Sequence, residues 1–573
     1  MRQMVLDLGM GAADVVPTGS YAKELGAYYT DSQVAEFLVR WAIRSADETV
    51  LDPSFGGGVF LRAACQRIRT LQGEPGRTVW GVEIDEEVHS RISEKLHDEF
   101  RIPGRQLHCS DFFAIRDGGT PQVDVVIGNP PFIRYQRFSG TSRSTALLRA
   151  REQGVRLPEL TSSWAPFLVH SISKLRHGGR LAMVLPFEVA HAKYARPVLE
   201  FLQQQFCEIT FLTFRKKLFP DLNETTLLLM ADGKGEHSRR FQVRDLAGPG
   251  ELASISGGAR GPKLGGRPME AKSLASGETR LIEHLIPSRA AQLYSQLRKS
   301  GRANALGVVA DVSVGYVTGA NDFFHLSQAE ARRRNIPAAL MKRAIIRSRA
   351  LNGIEFTRGD WRNAADSGAA ALLLHIARDD SLTTAIRDYI RDGESRGVST
   401  AYKCRVRSPW FCVPHVRRPD AFLTYMSGES PRLVANSARV VAPNCLHVVQ
   451  IRDRRVLSAR RLSAFWQTSL TQLSVEIEGH PLGGGMLKLE PGEAERVQLP
   501  LLTSVDGARV DDLAGELDAM LRSGATAAAR AHADRVVLQE GIGLSVRDCR
   551  LLWSAASQLR GRRGYKGAHY ELS

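Results

Sequence analysis

A largely apolar run, Val123-Asp124-Val125-Val126-Ile127-Gly128, passes without a spacer into Asn129-Pro130-Pro131-Phe132. Apolarity of this length predicts a strand buried on both faces, of the kind found in parallel sheets covered by helices. That fixes the class as α/β and puts the following loop at the carboxyl edge of the sheet, where open α/β sheets bind ligands. Pro130 and Pro131 have fixed φ and no N–H, so the turn is stiff and its carbonyls stay available as acceptors. The Asn129 amide oxygen and the Pro130 carbonyl together match the two hydrogens of a planar exocyclic amine, and Phe132 supplies a stacking face. The turn is suited to the amino group of a nucleobase.

Three further strand ends precede it. Val50-Leu51-Asp52-Pro53-Ser54-Phe55-Gly56-Gly57-Gly58 reads as strand, glycine loop and helix start. Glycines there let the backbone approach a ligand closely, as in nucleotide-binding βα turns. The spacing is neither G-x-G-x-x-G nor G-x-x-x-x-G-K-[ST], which favours a nucleoside without phosphates. Thr78 to Asp85 is a second strand ending in acid, and Glu83, with Ile84 beside it, stands where a carboxylate receives ribose hydroxyls. Cys109-Ser110-Asp111-Phe112-Phe113 closes a third unit, with Asp111 placed to accept from an adenine amine and Phe112 or Phe113 to pack on the ring. Taken alone, Glu83 also reads as a surface acid and Asp111 as a helix N-cap.

In this order the motifs resemble those of the gamma class of DNA adenine-N6 methyltransferases, which use S-adenosylmethionine (SAM). The resemblance spans residues 20 to 230 and implies a Rossmann-like SAM-dependent methyltransferase domain. By that match Tyr28, Tyr29 and Thr30 contact the methionine end of SAM, and Asp52, Pro53, Ser54, Phe55, Gly56 and Gly58 form its glycine loop. Glu83 and Ile84 hold the ribose side, and Asp111 and Phe112 the adenine of SAM. Asn129, Pro130, Pro131 and Phe132 are the catalytic motif, and Phe219, before Asn223 to Met230, is a second wall around the target base. Phe132 replaces the commoner Tyr. Ser162-Ser163-Trp164 stands where members of the class often carry Asn or Asp before an aromatic, so the match assigns Ser163 and Trp164 no role. The Arg-rich stretch 134–159 reads equally as a mobile loop on the DNA side or as a solvated insertion.

The chain is long enough for two or three cores. We expect a catalytic domain over 1–235, a loop-rich connection over 236–280, a mixed α+β target-recognition domain over 281–500 and a helical segment over 501–573. Charge supports that division. Of a net +16, residues 1–230 carry 27 basic and 26 acidic side chains, so nearly all the excess falls in the second part. A basic second half suits an enzyme that grips double-stranded DNA away from its chemistry. Lys342 to Arg349, Tyr402 to Arg418 and the end Arg560, Arg562, Arg563, Lys566 are the basic clusters available for phosphate contacts. Gly315 to Phe324 and Gly483 to Leu489 are similar to stretches in the C-terminal parts of larger gamma-class modification methylases.

The seven cysteines form no C-x-x-C pair, which predicts buried thiols, no disulfide and no metal. No apolar stretch is long enough for a membrane span, and a cytoplasmic, nucleoid-associated protein is expected. The expected reaction is methylation of a flipped-out adenine, as the modification enzyme of a restriction–modification or phage-defence system. A separate cognate endonuclease or defence subunit is the expected protein partner, since no nuclease motif is evident. A catalytically inactive DNA-binding subunit and a protein glutamine methyltransferase are the alternatives.

Overall fold

The computed structural model describes residues 31–115, 119–219, 225–255, 257–258, 261–262, 264–276, 278–500 and 507–565. Tyr28, Tyr29 and Thr30 lie outside them, as do Asn223 and Lys566. The chain divides into two compact units, Met1–Leu281 and Ile282–Ser573.

The first unit begins with α1 (Ser32–Ala42), whose N-cap Asp31 accepts the Gln33 N–H at 2.8 Å and whose buried face carries Val34, Phe37 and Leu38. There follow β1 (Val50–Asp52), α2 (Val59–Thr70), β2 (Val79–Glu83), α3 (Glu86–Phe100), β3 (Leu107–Cys109) and β4 (Val123–Gly128). Next come α4 (Gly140–Glu152), α5 (Trp164–Ser173), β5 (Leu175–Pro186), α6 (Arg196–Gln205), β6 (Phe206–Phe214), β7 (Thr226–Lys234), β8 (Arg240–Leu246) and β9 (Arg267–Glu270). The strands form one sheet in the order β9-β8-β6-β7-β5-β4-β1-β2-β3. β1 pairs parallel with both β2 and β4, so the strand order reverses there, the usual place for a ligand crevice in such sheets. β7 is antiparallel to β5 and to β6, so β5 and β6 point the same way. The carboxyl ends of β1 to β6 therefore share one edge. β4 is buried at Val123 and from Val125 to Gly128, as its apolar run predicts.

In residues 236–280, expected as a loop-rich connection with a strand or two such as Arg240 to Val243, β8 runs parallel to β6 over six residue pairs and β9 closes the edge antiparallel to β8. Their apolar residues Phe241, Val243 and Met269 are buried. Residues 134–159 are not an open loop. Gly140–Glu152 is helical, with Ala146 and Ala150 buried, and Arg149 Nε donates to Phe113 O at 3.0 Å.

The second unit is mixed α+β. A four-stranded antiparallel sheet runs β10 (Ala310–Val314), β13 (Leu446–Ile451), β11 (Ala421–Thr424), β12 (Leu433–Ala435). The tail joins it through two helices, α7 (Ser469–Glu478) and α8 (Val546–Arg562). Arg560 and Arg563, expected at a DNA-facing end, are only 4% and 6% exposed. Both pair with the buried Glu476 of α7: Arg560 Nε reaches its Oε1 at 2.9 Å and Arg563 Nε its Oε2 at 3.0 Å. In the 402–418 cluster Lys403, Arg405, Arg417 and Arg418 stay exposed, and Arg407 is the basic residue turned inward. Arg407 donates to the Val317 and Thr318 carbonyls, while Trp410 packs on Phe323 with ring centroids 5.2 Å apart. The thiols are mixed: Cys65, Cys404 and Cys549 are buried, Cys412 is half-buried, and Cys109, Cys207 and Cys445 are exposed.

Candidate active site

At the end of β1 the chain turns through Pro53 and Ser54 into the glycine loop. Phe55 N–H donates to Val82 O at 3.0 Å and Gly58 N–H to Phe55 O at 2.7 Å, which fixes the loop against β2. Gly58 has φ +76° at the start of α2, and a Cβ there would lie 2.7 Å from Ile92 Cγ2, so no other residue fits. Gly56, at φ +46°, has nothing within 4 Å of where its Cβ would be. That side of the loop is open for a ligand.

Glu83, at 9% exposure, holds the loop's far wall. Its Oε2 accepts Gly56 N–H at 2.8 Å, and Oε1 accepts Ile84 N–H at 2.9 Å and Asp85 N–H at 3.0 Å. Three of a carboxylate's roughly four acceptor positions are used, which leaves about one for a hydroxyl. Ile84 beside it is 55% exposed, an apolar side chain left open at the strand end.

Asp52 is fully buried. Its Oδ1 accepts Ser54 N–H at 3.1 Å, and its Oδ2 has no partner among the described residues. Gly128 presses on the same carboxyl, since a Cβ at 128 would stand 2.8 Å from Asp52 Oδ1. Burial, reinforced by the Glu83 charge and only partly offset by Ser54, pushes Asp52 up to about 8. Between pH 4 and 8 the folded state keeps a proton that the unfolded state has released, so this group lowers stability progressively as pH rises through that window. Asp52→Asn is therefore expected to leave the melting temperature near wild type at pH 4. At pH 8.5 it should stabilise the protein by on the order of 5 kcal/mol, read by thermal denaturation at the two pH values.

The turn after β4 is tied to the glycine loop directly: Ser54 Oγ donates to Asn129 O at 3.2 Å. A second clamp comes from Ser163, just before α5. Its hydroxyl donates to Pro131 O and accepts Ile133 N–H at 2.9 Å, while its own N–H donates to Ile133 O at 2.9 Å. Pro130 and Phe132 are buried. Behind Ser163, Trp164 is fully buried and its Nε1 donates to Tyr194 Oη at 2.9 Å and to Glu188 Oε2 at 3.2 Å. Ser163, Trp164, Glu188 and Tyr194 thus support the turn, a role that no sequence motif announces. The hydroxyls before Trp164 were visible, but their partners lie 30 residues away on other elements.

Asp111 caps a short 3-10 turn, accepting Phe113 N–H at 2.9 Å, and its Oδ2 accepts Ser142 Oγ at 3.0 Å. Phe112 is 3% exposed, wedged between Phe167 and His170 at centroid distances of 4.9 and 4.6 Å. The N-cap reading of Asp111 is realised, and Phe112 offers little open face. Burial pushes His170 down to about 4, so the ring is neutral, with Nε2 3.2 Å from Phe112 O. Phe219 is buried at 7% exposure in the β6–β7 connection, on the same sheet edge as Asn129.

The fold and turn geometry agree with two family models. One, described as N-6 DNA Methylase, matches residues 18–196, and the other, the C-terminal domain of the type II methyltransferase M.Eco57I, matches 278–538. Over residues 18–196 the chain is similar to the N-6 DNA methylases. The first match spans Asp52, Glu83, Asp111, Asn129 to Phe132 and Ser163. The chain is 21% identical over 509 residues to type II methyltransferase M.AccI of Acinetobacter calcoaceticus, covering 86% of this chain and 88% of that protein. The type IIL restriction–modification enzyme MmeI, solved in complex with DNA, shares the fold with a TM-score of 0.54 at 12% identity, over 94% of this chain and 79% of that one. The chain also spans 66% of the type IIG restriction endonuclease BpuSI, and 97% of its own length, at 15% identity and a TM-score of 0.42.

Proposed function

We propose that the methylase transfers a methyl group from SAM to the N6 amine of an adenine flipped out of double-stranded DNA, at one short recurring sequence, as the modification enzyme of a restriction–modification system. The observation that carries this is the Ser54 Oγ to Asn129 O bond at 3.2 Å, which holds the glycine loop and the Asn-Pro-Pro-Phe turn side by side.

The residues present fit the cofactor. The open side of Gly56, the remaining acceptor position on Glu83 and the exposed Ile84 suit a nucleoside. The partnerless Oδ2 of Asp52 suits a hydrogen-bond donor or cation such as an amino-acid ammonium. SAM when bound supplies an electrophilic methyl on sulfonium. An adenine amine is a poor nucleophile because its lone pair is delocalised into the ring. Asn129 Oδ1 and the Pro130 carbonyl accept its two N–H groups and return electron density to nitrogen. With the amine held in line, positioning supplies most of the rate. A duplex hides this amine, so the base must leave the stack, with Phe132 and Phe219 as its walls.

Radiolabelled methyl transfer to unmethylated plasmid, with modified bases mapped by single-molecule sequencing, tests the reading. N6-methyladenine at one sequence is the expected result, and modification of cytosine or none at all would reject it. Ser163→Ala is expected to slow single-turnover transfer by about 10- to 100-fold while SAM affinity stays within about twofold. A rate equal to wild type would show that the turn holds its shape without the clamp.

A further inference from the structure

A cleft of about 860 Å³ opens in the second unit, far larger than a packing defect and within the range of ligand sites. It is lined by Asn321, Asp322 and His325 on one side and by Ile345 to Arg347 with Arg349 and Ala350 on another. Its floor, Ala364 and Ser367 to Ala371, consists of residues too small to fill it. Trp361 and Phe356 give it aromatic walls.

Three observations make this a built site. Arg347 and Arg349 at the rim are exposed and form no ion pair with any described residue. His325 is 6% exposed, its Nε2 lies 2.9 Å from Tyr316 Oη, and its Nδ1 has no partner among the described residues. Burial pushes this ring down to about 4, so it is a neutral hydrogen-bonding group rather than a second cation. Finally, Thr318 Oγ1 donates to Asn321 Oδ1 at 2.6 Å, which orients the exposed Asn321 amide with its N–H₂ pointing away from that bond. The turn carrying it is held from behind by Arg407 on the Val317 and Thr318 carbonyls.

Two unpaired cations at a rim, with hydrogen-bonding side chains and aromatic walls inside, are the chemistry of a nucleotide: phosphate outside, base edge within. We propose that this cleft grips nucleotides of the DNA target, with Arg347 and Arg349 on backbone phosphates and Asn321, Asp322 and His325 facing a base edge. The proposal rests on the reading of the substrate as DNA. It adds a specificity site to the half of the chain that carries nearly all of the basic excess.

The test compares wild type with Arg347→Ala/Arg349→Ala, using fluorescence anisotropy with a duplex containing the methylated sequence. Each neutralised phosphate contributes about −0.9 to the slope of log K against log salt, so the double variant is expected to flatten that slope by nearly 2. SAM affinity by calorimetry is expected to stay unchanged. A slope equal to wild type would overturn the proposal. Asn321→Ala and Asp322→Ala are expected to relax the sequence of methylated sites at one position, mapped on plasmid DNA, and an unaltered site would remove the base-reading part. ATP binding to wild type that disappears in the double variant, with DNA affinity intact, would overturn the DNA source in favour of a free nucleotide. Because anisotropy does not depend on methyl transfer, a flattened slope alongside an inactive wild type would sustain the cleft and reject the proposed reaction instead.

Discussion

Asn129→Ala is expected to reduce methyl transfer by at least about 10²- to 10³-fold, the usual loss on removing one acceptor or donor aimed at developing charge. The deleted group is a side-chain amide, whereas the contact that holds the turn to the glycine loop uses the Asn129 main-chain oxygen. Ser163 likewise holds Pro131 and Ile133 through their backbone atoms. The turn should therefore keep its shape and SAM should bind normally by calorimetry, so that the defect appears in the single-turnover rate alone. Near-normal transfer would mean that the amine is polarised by another group. Loss of SAM binding together with activity would mean that Asn129 belongs to the cofactor wall.

The largest effect on stability is expected at Glu476. Its carboxylate is 2% exposed and accepts from Arg560 Nε and from two nitrogens of Arg563, at 2.9 to 3.0 Å. Removing one partner of a buried ion pair leaves an uncompensated charge, at a cost of about 3–5 kcal/mol. Here two guanidiniums lose their anion at once, although Arg560 keeps Gln472 Oε1 at 2.7 Å and Arg563 keeps carbonyl partners. Glu476→Ala should thus lower the unfolding free energy of the second unit by about 3–5 kcal/mol in chemical denaturation, with the first unit's transition unmoved. A loss under about 1 kcal/mol would show that the carbonyls alone neutralise the pair.

The α/β sheet and the Asn-Pro-Pro-Phe turn were legible because they are local. β4 is a continuous apolar run, Gly58 is forced to be glycine by its own φ, and the Asn129 turn announces itself through two consecutive prolines. The supporting groups were not legible, because they are brought in by other elements: Ser163 meets Pro131 only after α5 packs on β5, and Tyr194 meets Trp164 from beyond β5. The second half misled more seriously. An arginine in sequence looks the same whether it faces solvent or donates to main-chain carbonyls, as Arg407 and Arg563 do. Charge counting measured the basic excess correctly and could not say which cations were spent inside. Asp111 shows the opposite case, in which the humbler reading as an N-cap could be made from sequence and is what the geometry displays.

Arg563 also ties the order of synthesis to the order of folding. It donates to the carbonyls of Gly428, Glu429 and Gly485, in segments made 78 to 135 residues earlier. Until residues 546–563 have emerged from the ribosome, those carbonyls and Glu476 must stay hydrated, so the second unit cannot close stepwise as it is made. The nine-stranded sheet has no such dependence, being complete by Glu270. A nascent chain therefore carries a finished first unit ahead of an unfinished one, and it gains its second unit in a late event set by α8.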